Sequence, residues 1–332
     1  MKRILLTITL TISPIIAECD WNEDGTLNVI DVVETVDCIL NSCWDGSQCD
    51  WNWDGTLNVI DVVETVDCIL TNCWSQPVLF EVVFIPAGEF TWGENDDILS
   101  IEYNYEIMKY EVTNNQYLTF MEDALSQGFI SVNTTTVQGY YSGDEYWDAG
   151  IYEFYNLNGN YSRISWDGSF FSVIPGYENH PVNHVSWFGA WAMGEYHGMR
   201  LPTEREWEKA ARGDTGWDYP WGDEIDGSRA NYRDSGDPWD NDTTPIGLYN
   251  GQSYEGFQTT DSPSPYGVYD VSGNVWEWTN SFFDDSGNRV LRGGCWINQY
   301  TYIQQLKTWT NSFVQNNSGT AYEGFRLMKT IP

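Results

Sequence analysis

Apolar residues recur at helical spacing twice in the first part of the chain. In the stretches 29–40 and 59–70 they return every three or four positions, which predicts two helices that each have one apolar face. Both stretches belong to a duplication, because residues 19–43 return as 49–73 with only three differences. A repeat this close predicts two copies of one structural unit.

The pattern of apolar and polar residues changes after residue 79. Short runs of β-branched and aromatic residues at 80–85, 289–292 and 323–329 predict strands. A longer amphipathic run at 113–126 predicts a helix. Glycine, proline and asparagine are dense between these runs, so residues 80–332 are expected to form one α+β domain with much irregular loop.

Two further helices are marked by their capping residues. Ser186 precedes an apolar run that stops at Gly198, which is a typical start and end of a helix. Thr203 and Glu206 have the spacing of a capping box, in which each side chain bonds the backbone of the other residue. These residues are interpreted as structural.

Aromatic residues crowd the segment between the helix predicted at 113–126 and His180. A long segment of this kind either shapes a ligand-binding cleft or forms a hairpin whose rings fill the core, and the sequence leaves both readings open. The rings belong to Tyr140, Tyr141, Tyr146, Trp147, Tyr152, Phe154, Tyr155 and Tyr161.

The amino terminus has the pattern of an export signal. Lys2 and Arg3 precede an apolar run, and Ala17 ends it, so residues 1–17 predict a signal peptide and a secreted, extracellular or cell-surface protein. No later run has the eighteen or so consecutive apolar residues that a membrane span needs.

Charge narrows the range of partners. Without the two leader cations, Lys+Arg falls from 15 to 13 against 49 Asp+Glu, which is a net charge of −36. A surface this acidic repels phosphate backbones, so we expect no nucleic-acid partner. It is compatible with calcium binding and names no substrate.

Each copy of the repeat contains a run of oxygen-bearing side chains, DWNEDGTLNVID at 20–31 and DWNWDGTLNVID at 50–61. Calcium takes six to eight oxygens, and loop positions 1, 3, 5, 7, 9 and 12 supply them when a glycine at position 6 allows a sharp turn. Gly25 and Gly55 stand at that position. The predicted ligands are Asp20, Asn22, Asp24, Thr26, Asn28 and Asp31 in the first loop, and Asp50, Asn52, Asp54, Thr56, Asn58 and Asp61 in the second.

Residues 18–74 resemble a dockerin, on the motif DxNxDGxxNxxD present twice and on aspartate at position 12, where ordinary EF-hands have glutamate. The resemblance implies a small all-α domain of paired EF-hand-type loop–helix units, followed by a linker at 75–79. It also implies a cohesin-like receptor or scaffold as partner. The near identity of the copies suggests that either face can bind it. The partner-binding positions would be Val29, Ile30, Val59 and Ile60.

Six cysteines lie in the repeat, and export places them where disulfides persist. Three per copy means that at least one bond joins the copies, and the sequence leaves the pairing open. If the helices pack antiparallel as in dockerins, the resemblance favours Cys49 with Cys38 or Cys43, and Cys19 with Cys68 or Cys73.

The remainder of the chain resembles the formylglycine-generating enzyme family, also called sulfatase-modifying factors. The resemblance implies a compact fold related to C-type lectins, with bound calcium. Active members oxidise a sulfatase cysteine to formylglycine with oxygen and a copper ion held by two cysteines. The matching segments are FIPAGEFTWG (84–93), KYEVTNNQYLTF (109–120), HPVNHVSWFGAWAM (180–193), RLPTEREWEKAARG (200–213), YPWG (219–222), GVYDVSGNVWEW (267–278), VLRGG (290–294) and GFRL (324–327).

The paired thiols of the family are missing. Counted from Gly293 and Gly294, the family cysteines fall on Asn298 and Ile303, and the nearby Cys295 is a single thiol. Copper chemistry of this kind needs soft thiolates in pairs. We therefore expect no copper, no formylglycine synthesis and no catalytic residue of that reaction.

The calcium residues of the family transfer to two sets of positions. Asp270 and Glu277 would be side-chain ligands, with the carbonyls of Gly273 and Val275 between them. The second set has the side chains of Asn231 and Asp237 and the carbonyls of Tyr232 and Trp239. One or two calcium ions are thus expected in this domain, beside two in the repeat.

Two hypotheses follow for function. The first is a non-oxidising binding or accessory module that recognises a glycan or a protein through its aromatic segment. The second is a divergent enzyme that reuses the family cleft with Arg292, Arg326 and Cys295. His180 and His184 are interpreted as structural, because HPVNH has no base at the spacing of a catalytic metal motif.

Overall fold

The structure is a computed structural model that describes residues 80–298, 300–317 and 319–331, and the helical positions Val36 and Val62. The chain divides into two compact units, Met1–Leu79 and Phe80–Pro332. The leader, both calcium loops, the four partner-binding positions, the six cysteines and the linker therefore lie outside the described residues. No helix in the described part is long and apolar enough to cross a membrane.

Short strands joined by long loops build the second unit. The described strands are β1 (Val82–Ile85), β2 (Gly88–Trp92), β3 (Asp97–Ile101), β4 (Tyr105–Met108), β5 (Ile130–Val132), β6 (Thr136–Tyr141), β7 (Gly150–Asn156), β8 (Ile164–Trp166), β9 (Phe171–Val173), β10 (Ser253–Tyr254), β11 (Phe257–Gln258), β12 (Trp276–Phe282), β13 (Arg289–Arg292), β14 (Asn311–Val314), β15 (Glu323–Gly324) and β16 (Met328–Thr330).

Two sheets form the framework. The first has the order β1-β4-β16 with antiparallel neighbours. The second has the order β14-β13-β12-β15, in which only β12 and β15 are parallel. The smaller sheets of the described part are β2-β3, β5-β6-β7, β8-β9 and β10-β11. The mixed α/β character with few helices agrees with the expected α+β class.

Two of the α-helices in the described residues carry a complete capping box. Helix α1 (Asn114–Ser126) follows Thr113, whose hydroxyl accepts from Gln116 N at 3.1 Å while its own N–H donates to the Gln116 side chain at 2.9 Å. Helix α3 (Glu204–Arg212) has the predicted reciprocal pair, Thr203 and Glu206. Each box satisfies backbone donors that a helix start leaves free.

Helix α2 (Trp187–Tyr196) also begins at its predicted cap. The Ser186 hydroxyl accepts from Gly189 N at 3.1 Å. The helix ends before Gly198, whose φ of 64° is in the left-handed region that favours glycine. The predicted bounds of this helix are confirmed. A 3-10 helix, Tyr300–Leu306, follows later in the chain.

The sequence predicts one strand at 323–329, and this prediction is wrong. Strand β15 pairs with β12, whereas β16 pairs with β4 in the other sheet. Between them the buried Arg326 donates to the carbonyls of Met108 and Lys109, both at 3.1 Å. The chain therefore crosses from one sheet to the other, which a period-two pattern does not encode.

Most rings of the aromatic segment fill the core. The segment folds as the β5-β6-β7 sheet followed by the β8-β9 hairpin. Tyr141, Phe154 and Tyr155 are buried in the largest apolar cluster, which also holds Phe188. Tyr152 stacks on the Phe188 ring, with ring centres 4.1 Å apart. The covering-hairpin reading is thus correct for these residues.

Three tyrosines of the segment remain at the surface. Tyr140 is 60% exposed, Tyr161 46% and Tyr146 39%, while Trp147 is partly buried against the core. An exposed ring in a hairpin that is otherwise packed is available to a ligand. The two readings of the segment therefore apply to different residues.

Candidate functional site

The segment after β13 occupies the place of the expected thiol pair. Asn298 Oδ1 accepts from Cys295 N at 2.7 Å, and Asn298 Nδ2 donates to the side chain of Gln305. The amide thereby joins the turn at 295–298 to the 3-10 helix. A Cβ atom at Gly294 would lie 2.9 Å from the Gln305 carbonyl, so the backbone at Gly294 packs closely against the 3-10 helix. Asn298 is a structural link in this segment.

Cys295 is a buried free thiol, 1% exposed. Burial raises the pKa of this thiol to about 12, because an apolar surrounding disfavours the charged form. The thiolate is the nucleophile and the metal ligand, so a protonated thiol supplies neither. The geometry gives Cys295 the role of a small core residue.

Aromatic rings pack around Trp296 of this segment, which is 3% exposed. Tyr161 lies 5.3 Å from the Trp296 ring, which lies 5.5 Å from the Tyr322 ring. The Arg163 guanidinium is 5.5 Å from the centre of the Tyr161 ring. Trp296 is fixed by a hydrogen bond from its indole N–H to the carbonyl of Ala321 at 3.1 Å. We call the rings of Tyr161, Trp296 and Tyr322 the Tyr161 face.

A groove of about 320 Å³ opens between α1, α2 and the β5-β6-β7 sheet. We call it the aromatic groove. Its lining contains Ala124, Ile130 and Ala192, one charged residue, Glu195, and six aromatic side chains. The six are Phe120, Phe129, Tyr140, Phe154, Trp191 and Tyr196.

One wall of the aromatic groove is fixed by hydrogen bonds. The Tyr196 hydroxyl donates to Asp123 Oδ2 at 2.5 Å and accepts from Gln127 Nε2 at 2.6 Å. Burial and then the Asp123 carboxylate raise the pKa of Tyr196 to about 12, so the hydroxyl stays protonated. Sequence reasoning identified Tyr140 and Phe154 but missed the contributions of α1 and α2. Apolar helical residues are read as core unless their neighbours are known.

The carboxylate of Glu277 lies in a buried ion pair. Arg326 Nε donates to Glu277 Oε2 at 2.7 Å, and Arg326 Nη2 donates to Oε1 at 2.8 Å. The Trp207 indole N–H donates to Oε2 at 2.8 Å. Both residues of the pair are fully buried. Arg326 therefore acts as a structural partner of Glu277.

Two more acids lie close to this pair. Gly247 N donates to Asp270 Oδ2 at 2.6 Å, and burial raises the pKa of Asp270 to about 6. Glu111 accepts from Asn274 Nδ2 at 2.8 Å. Burial, with the charges of Asp270 and Glu277, raises the pKa of Glu111 well above its usual range. Three acids thus share one arginine.

The first calcium set fits a cation poorly. Both Glu277 oxygens already accept hydrogen bonds from Arg326 and Trp207. Asp270 has a φ of 58°, and its Oδ2 is bonded to backbone. The set presents one carboxylate with an unengaged oxygen.

The second calcium set contains one buried amide oxygen that is free to bind a cation. Asn231 is 1% exposed, and its Oδ1 is buried with no hydrogen-bond partner among the described residues. An orphaned carbonyl oxygen is a suitable calcium ligand. Asp237 is 4% exposed, and both its oxygens accept hydrogen bonds, Oδ1 from Trp239 N at 2.7 Å and Oδ2 from the Ser235 hydroxyl at 2.6 Å. Burial raises the pKa of this carboxyl. The Tyr232 and Trp239 carbonyls accept from Ser235 N and Asp242 N.

The two calcium sets lie side by side. Asn231 Nδ2 donates to Asn274 Oδ1 at 3.2 Å, and Asn274 N donates to the Asn231 carbonyl at 2.9 Å. Among the described residues no group of three or more His, Cys, Asp or Glu side chains is arranged to hold a metal. A calcium ion here would rely on amide and carbonyl oxygens.

His180 and His184 have structural partners. His180 is 1% exposed, its Nδ1 lies 3.0 Å from the Thr243 hydroxyl, and burial lowers its pKa to about 4. His184 faces the carbonyls of Gly319 at 3.2 Å and Asn160 at 2.6 Å. The two rings do not converge on a metal-binding group.

Arg292 is also part of a buried ion pair. Its Nη2 bonds Glu208, and its Nη1 donates to the Thr310 carbonyl at 2.9 Å. Arg292, Arg326 and Cys295, the residues of the enzyme hypothesis, are all 0–1% exposed. The structure gives each a partner or a core position and no contact with an open site.

Residues 74–331 match the family described as the Sulfatase-modifying factor enzyme 1-like domain. The chain belongs to this family. The resemblance drawn from the sequence motifs is thereby confirmed for the second unit. The resemblance of residues 18–74 to a dockerin stays a prediction.

Proteins similar in sequence to this chain carry the names of a kinase, an inactive enzyme and an active enzyme. The chain is 33% identical over 247 residues to Serine/threonine-protein kinase pkn1 of Chlamydia pneumoniae, covering 67% of this chain and 34% of that protein. It is 43% identical over 123 residues to Inactive C-alpha-formylglycine-generating enzyme 2 of Mus musculus, covering 35% and 38%. It is 34% identical over 179 residues to the Formylglycine-generating enzyme of Thermomonospora curvata, covering 47% and 57%.

The chain thus spans about a third of the length of pkn1 and just over half of the bacterial enzyme. Among solved structures, PvdO from Pseudomonas aeruginosa aligns with a TM-score of 0.51 at 19% identity, covering 75% of this chain and 94% of that one. This similarity supports the family fold. Family membership alone does not decide between an oxidase and an inactive member.

Proposed function

We propose that this protein is a secreted, non-oxidising binding module of the sulfatase-modifying-factor family. The proposal is carried by Asn298. Its amide bonds both Cys295 N and the Gln305 side chain, at a position where the resemblance to the oxidases calls for a copper thiolate. The buried Cys295 thiol, with its raised pKa, supplies no substitute.

The test is a direct assay of sulfatase-peptide oxidation. Full-length protein is incubated with copper, oxygen, a reductant and a cysteine peptide of a sulfatase, and the peptide mass is followed. The Formylglycine-generating enzyme of Thermomonospora curvata is the positive control. We expect no conversion. Conversion above the level of copper alone would overturn the proposal.

A glycan is the ligand that we propose for the Tyr161 face. The exposed Tyr161 ring and the partly buried Tyr322 ring lie at a tilt on either side of the buried Trp296, and an exposed tyrosine ring held in this way can pack on the apolar face of a sugar. Arg163 beside Tyr161 is paired with Asp242, so Tyr161 itself is the recognition element of this face.

Full-length protein on a glycan array tests this ligand. Tyr161→Ala should weaken binding by roughly 1 kcal/mol, about fivefold, because one stacking ring is lost. Tyr146→Ala is the matched control, since Tyr146 is exposed but packs on Phe282 instead. Equal losses in the two variants, or no binding to any glycan, would contradict a glycan site at this face.

We further propose that residues 18–74 attach the protein to an extracellular or cell-surface assembly through a cohesin-like receptor. Support comes from the two calcium-loop motifs and the apolar pairs Val29–Ile30 and Val59–Ile60. Calcium-dependent capture on a panel of immobilised cohesins is the expected result. The double variant Asp31→Ala/Asp61→Ala should abolish it, and capture that survives in chelator would refute the attachment.

The near identity of the two repeats predicts two equivalent binding faces. Changing Val29 and Ile30 to serine should leave capture largely intact, since the second copy remains. Complete loss in that variant would refute the symmetric arrangement while leaving cohesin binding in place.

Calcium in the second unit is proposed at the Asn231 set. The orphaned, buried Asn231 Oδ1 supports it. The enzyme hypothesis has no comparable support, because Arg292, Arg326 and Cys295 are buried and have structural partners or core positions.

A further inference from the structure

The aromatic groove combines a dense ring lining with one charge. Six of its side chains are aromatic, and the only charged side chain in its lining is Glu195, whose residue is exposed. Phe129 and Tyr140, each 60% exposed, stand at the rim, while Phe120 and Phe154 are each 2% exposed. Ring faces carry partial negative charge, so both the rings and the carboxylate favour a cation.

The Glu195 carboxylate has no partner of its own within the described part of the chain. No ion pair or hydrogen bond joins its side chain to a described residue. Two basic residues line a second pocket, which Glu195 also borders. They are already paired, Arg200 with Glu206 at 2.6 Å and Lys329 with Glu106 at 3.0 Å. The carboxylate charge is therefore available to a ligand.

The surroundings of the groove add negative charge. Asp123 lies directly behind the Tyr196 wall, held at 2.5 Å by the Tyr196 hydroxyl. His197 packs edge-on against Tyr196, with ring centres 5.3 Å apart, and burial lowers its pKa, so it is neutral near pH 7. A cation in the groove would thus face the Glu195 carboxylate, with the Asp123 carboxylate behind the Tyr196 ring and a neutral imidazole beside that ring.

The lining also selects among cations. A primary ammonium is strongly hydrated and needs several acceptors when it leaves water, and the groove offers little beyond Glu195. A methylated ammonium carries the same charge under an apolar surface, so rings replace its hydration shell at a lower desolvation cost. The volume of about 320 Å³ is at the lower end for ligand pockets, which limits the occupant to a small molecule.

We propose that the aromatic groove binds a small, free quaternary ammonium compound of the choline type. Glu195 and the aromatic rings are the recognition elements. A phosphocholine lipid is disfavoured, because its phosphate would lie beside Glu195 and Asp123. The inference deepens the proposed function, since it rests on the domain being a binding module and gives this groove a ligand class distinct from the glycan of the Tyr161 face.

The experiment compares two probes of the same shape on the full-length protein. Choline and its neutral isostere 3,3-dimethyl-1-butanol are titrated by calorimetry, and contact with their methyl groups is followed by saturation-transfer NMR. We expect choline to bind about three- to tenfold more tightly than the alcohol, which is the factor that a cation over aromatic rings provides. Phosphocholine should bind more weakly than choline.

Two exposed positions test the assignment without disturbing the core. Tyr140→Ala and Glu195→Gln should each lower choline affinity about three- to tenfold, and Glu195→Gln should leave affinity for the neutral alcohol unchanged. Tyr146→Ala and Glu255→Gln are the matched controls, because both residues are exposed and neither lines the groove. The controls should bind choline as the wild type does.

Equal affinity for choline and the alcohol would overturn the proposal, since the groove would then be merely apolar. Undetectable choline binding, or losses that are the same in the test and control variants, would also overturn it. The proposed function fails separately, because peptide oxidation would refute the non-oxidising module whatever the choline titration shows.

Discussion

Replacing Arg326 by methionine tests the reading of the Glu277–Arg326 pair as the main polar support of the core. Arg326 makes five hydrogen bonds: two to Glu277 at 2.7 and 2.8 Å, and three to the carbonyls of Met108, Lys109 and Tyr269 at 2.9–3.1 Å. Methionine fills similar space without charge. The variant therefore leaves a buried glutamate and three backbone acceptors without this donor.

The expected size follows from the burial of the pair. Removing one partner of a fully buried ion pair destabilises a protein by roughly 3–5 kcal/mol, because the remaining charge is uncompensated. Asp270 and Glu111 increase the effect, since both lie near Glu277 and have no other strong cation beside them. For a domain of this size 1 kcal/mol corresponds to about 2–4 °C in Tm, so we expect a decrease of roughly 6–20 °C.

The assay is urea unfolding of the full-length protein, followed by near-UV circular dichroism of its tryptophans, with a thermal scan in parallel. Arg205→Met is the matched control, because Arg205 is exposed and its loss should change stability by less than about 0.5 kcal/mol. The double variant Glu277→Gln/Arg326→Met should recover part of the loss, since the uncompensated charge is gone. If Arg326→Met and Arg205→Met unfold at the same urea concentration, the reasoning is refuted.

Three further outcomes follow from the buried groups. Burial raises the pKa of Cys295 to about 12, so its thiol should not react with iodoacetamide at pH 8 in the native protein. Mass spectrometry should find the Cys295 peptide unmodified in native protein and fully modified in urea, and labelling of the native protein would contradict this. The pKa of His180 is lowered to about 4, so its contribution to stability is complete above its unfolded pKa of roughly 6.5 and is lost as pH falls towards 4. His180→Gln should therefore show a flatter stability profile between pH 6.5 and 4 than the wild type, and identical slopes would refute the assignment. Calcium at 100 times its Kd should raise the free energy of unfolding of the second unit by about 2.7 kcal/mol, and its Tm with it. Asp237→Asn should reduce this gain, and the exposed Asp167→Asn should not. Equal gains in the wild type and both variants would exclude the Asn231 set.

The helix starts show how far local patterns reach. The Thr203–Glu206 box and the Ser186 cap involve atoms within three residues of each other, and the structure has both as the sequence predicts. Strand 289–292 was also predicted with its observed bounds. The strand at 323–329 was wrong, because Arg326 is fixed by carbonyls more than two hundred residues earlier in the chain.

Some features of the candidate sites were likewise predictable from local sequence, and others depended on distant residues. The absence of the thiol pair and the unsuitability of HPVNH for metal binding follow from residue types alone. The fit of the two calcium sets depends on distant partners. Glu277 is engaged by Arg326, 49 residues away, whereas Asn231 Oδ1 is left without a described donor. Ligand-like residue types were recognisable, but their competing hydrogen bonds were not.

By itself, the sequence determined the family, the helix caps, the repeated calcium-loop motifs and the lack of an oxidase thiol pair. These depend on residue identity and on contacts between near neighbours. Only the tertiary structure decided which tyrosines of the aromatic segment are buried, that Asn298 is a structural link, and that α1, α2 and β5-β6-β7 enclose an aromatic groove with one free carboxylate. Burial and charge pairing arise between residues distant in sequence, so no local pattern contains them.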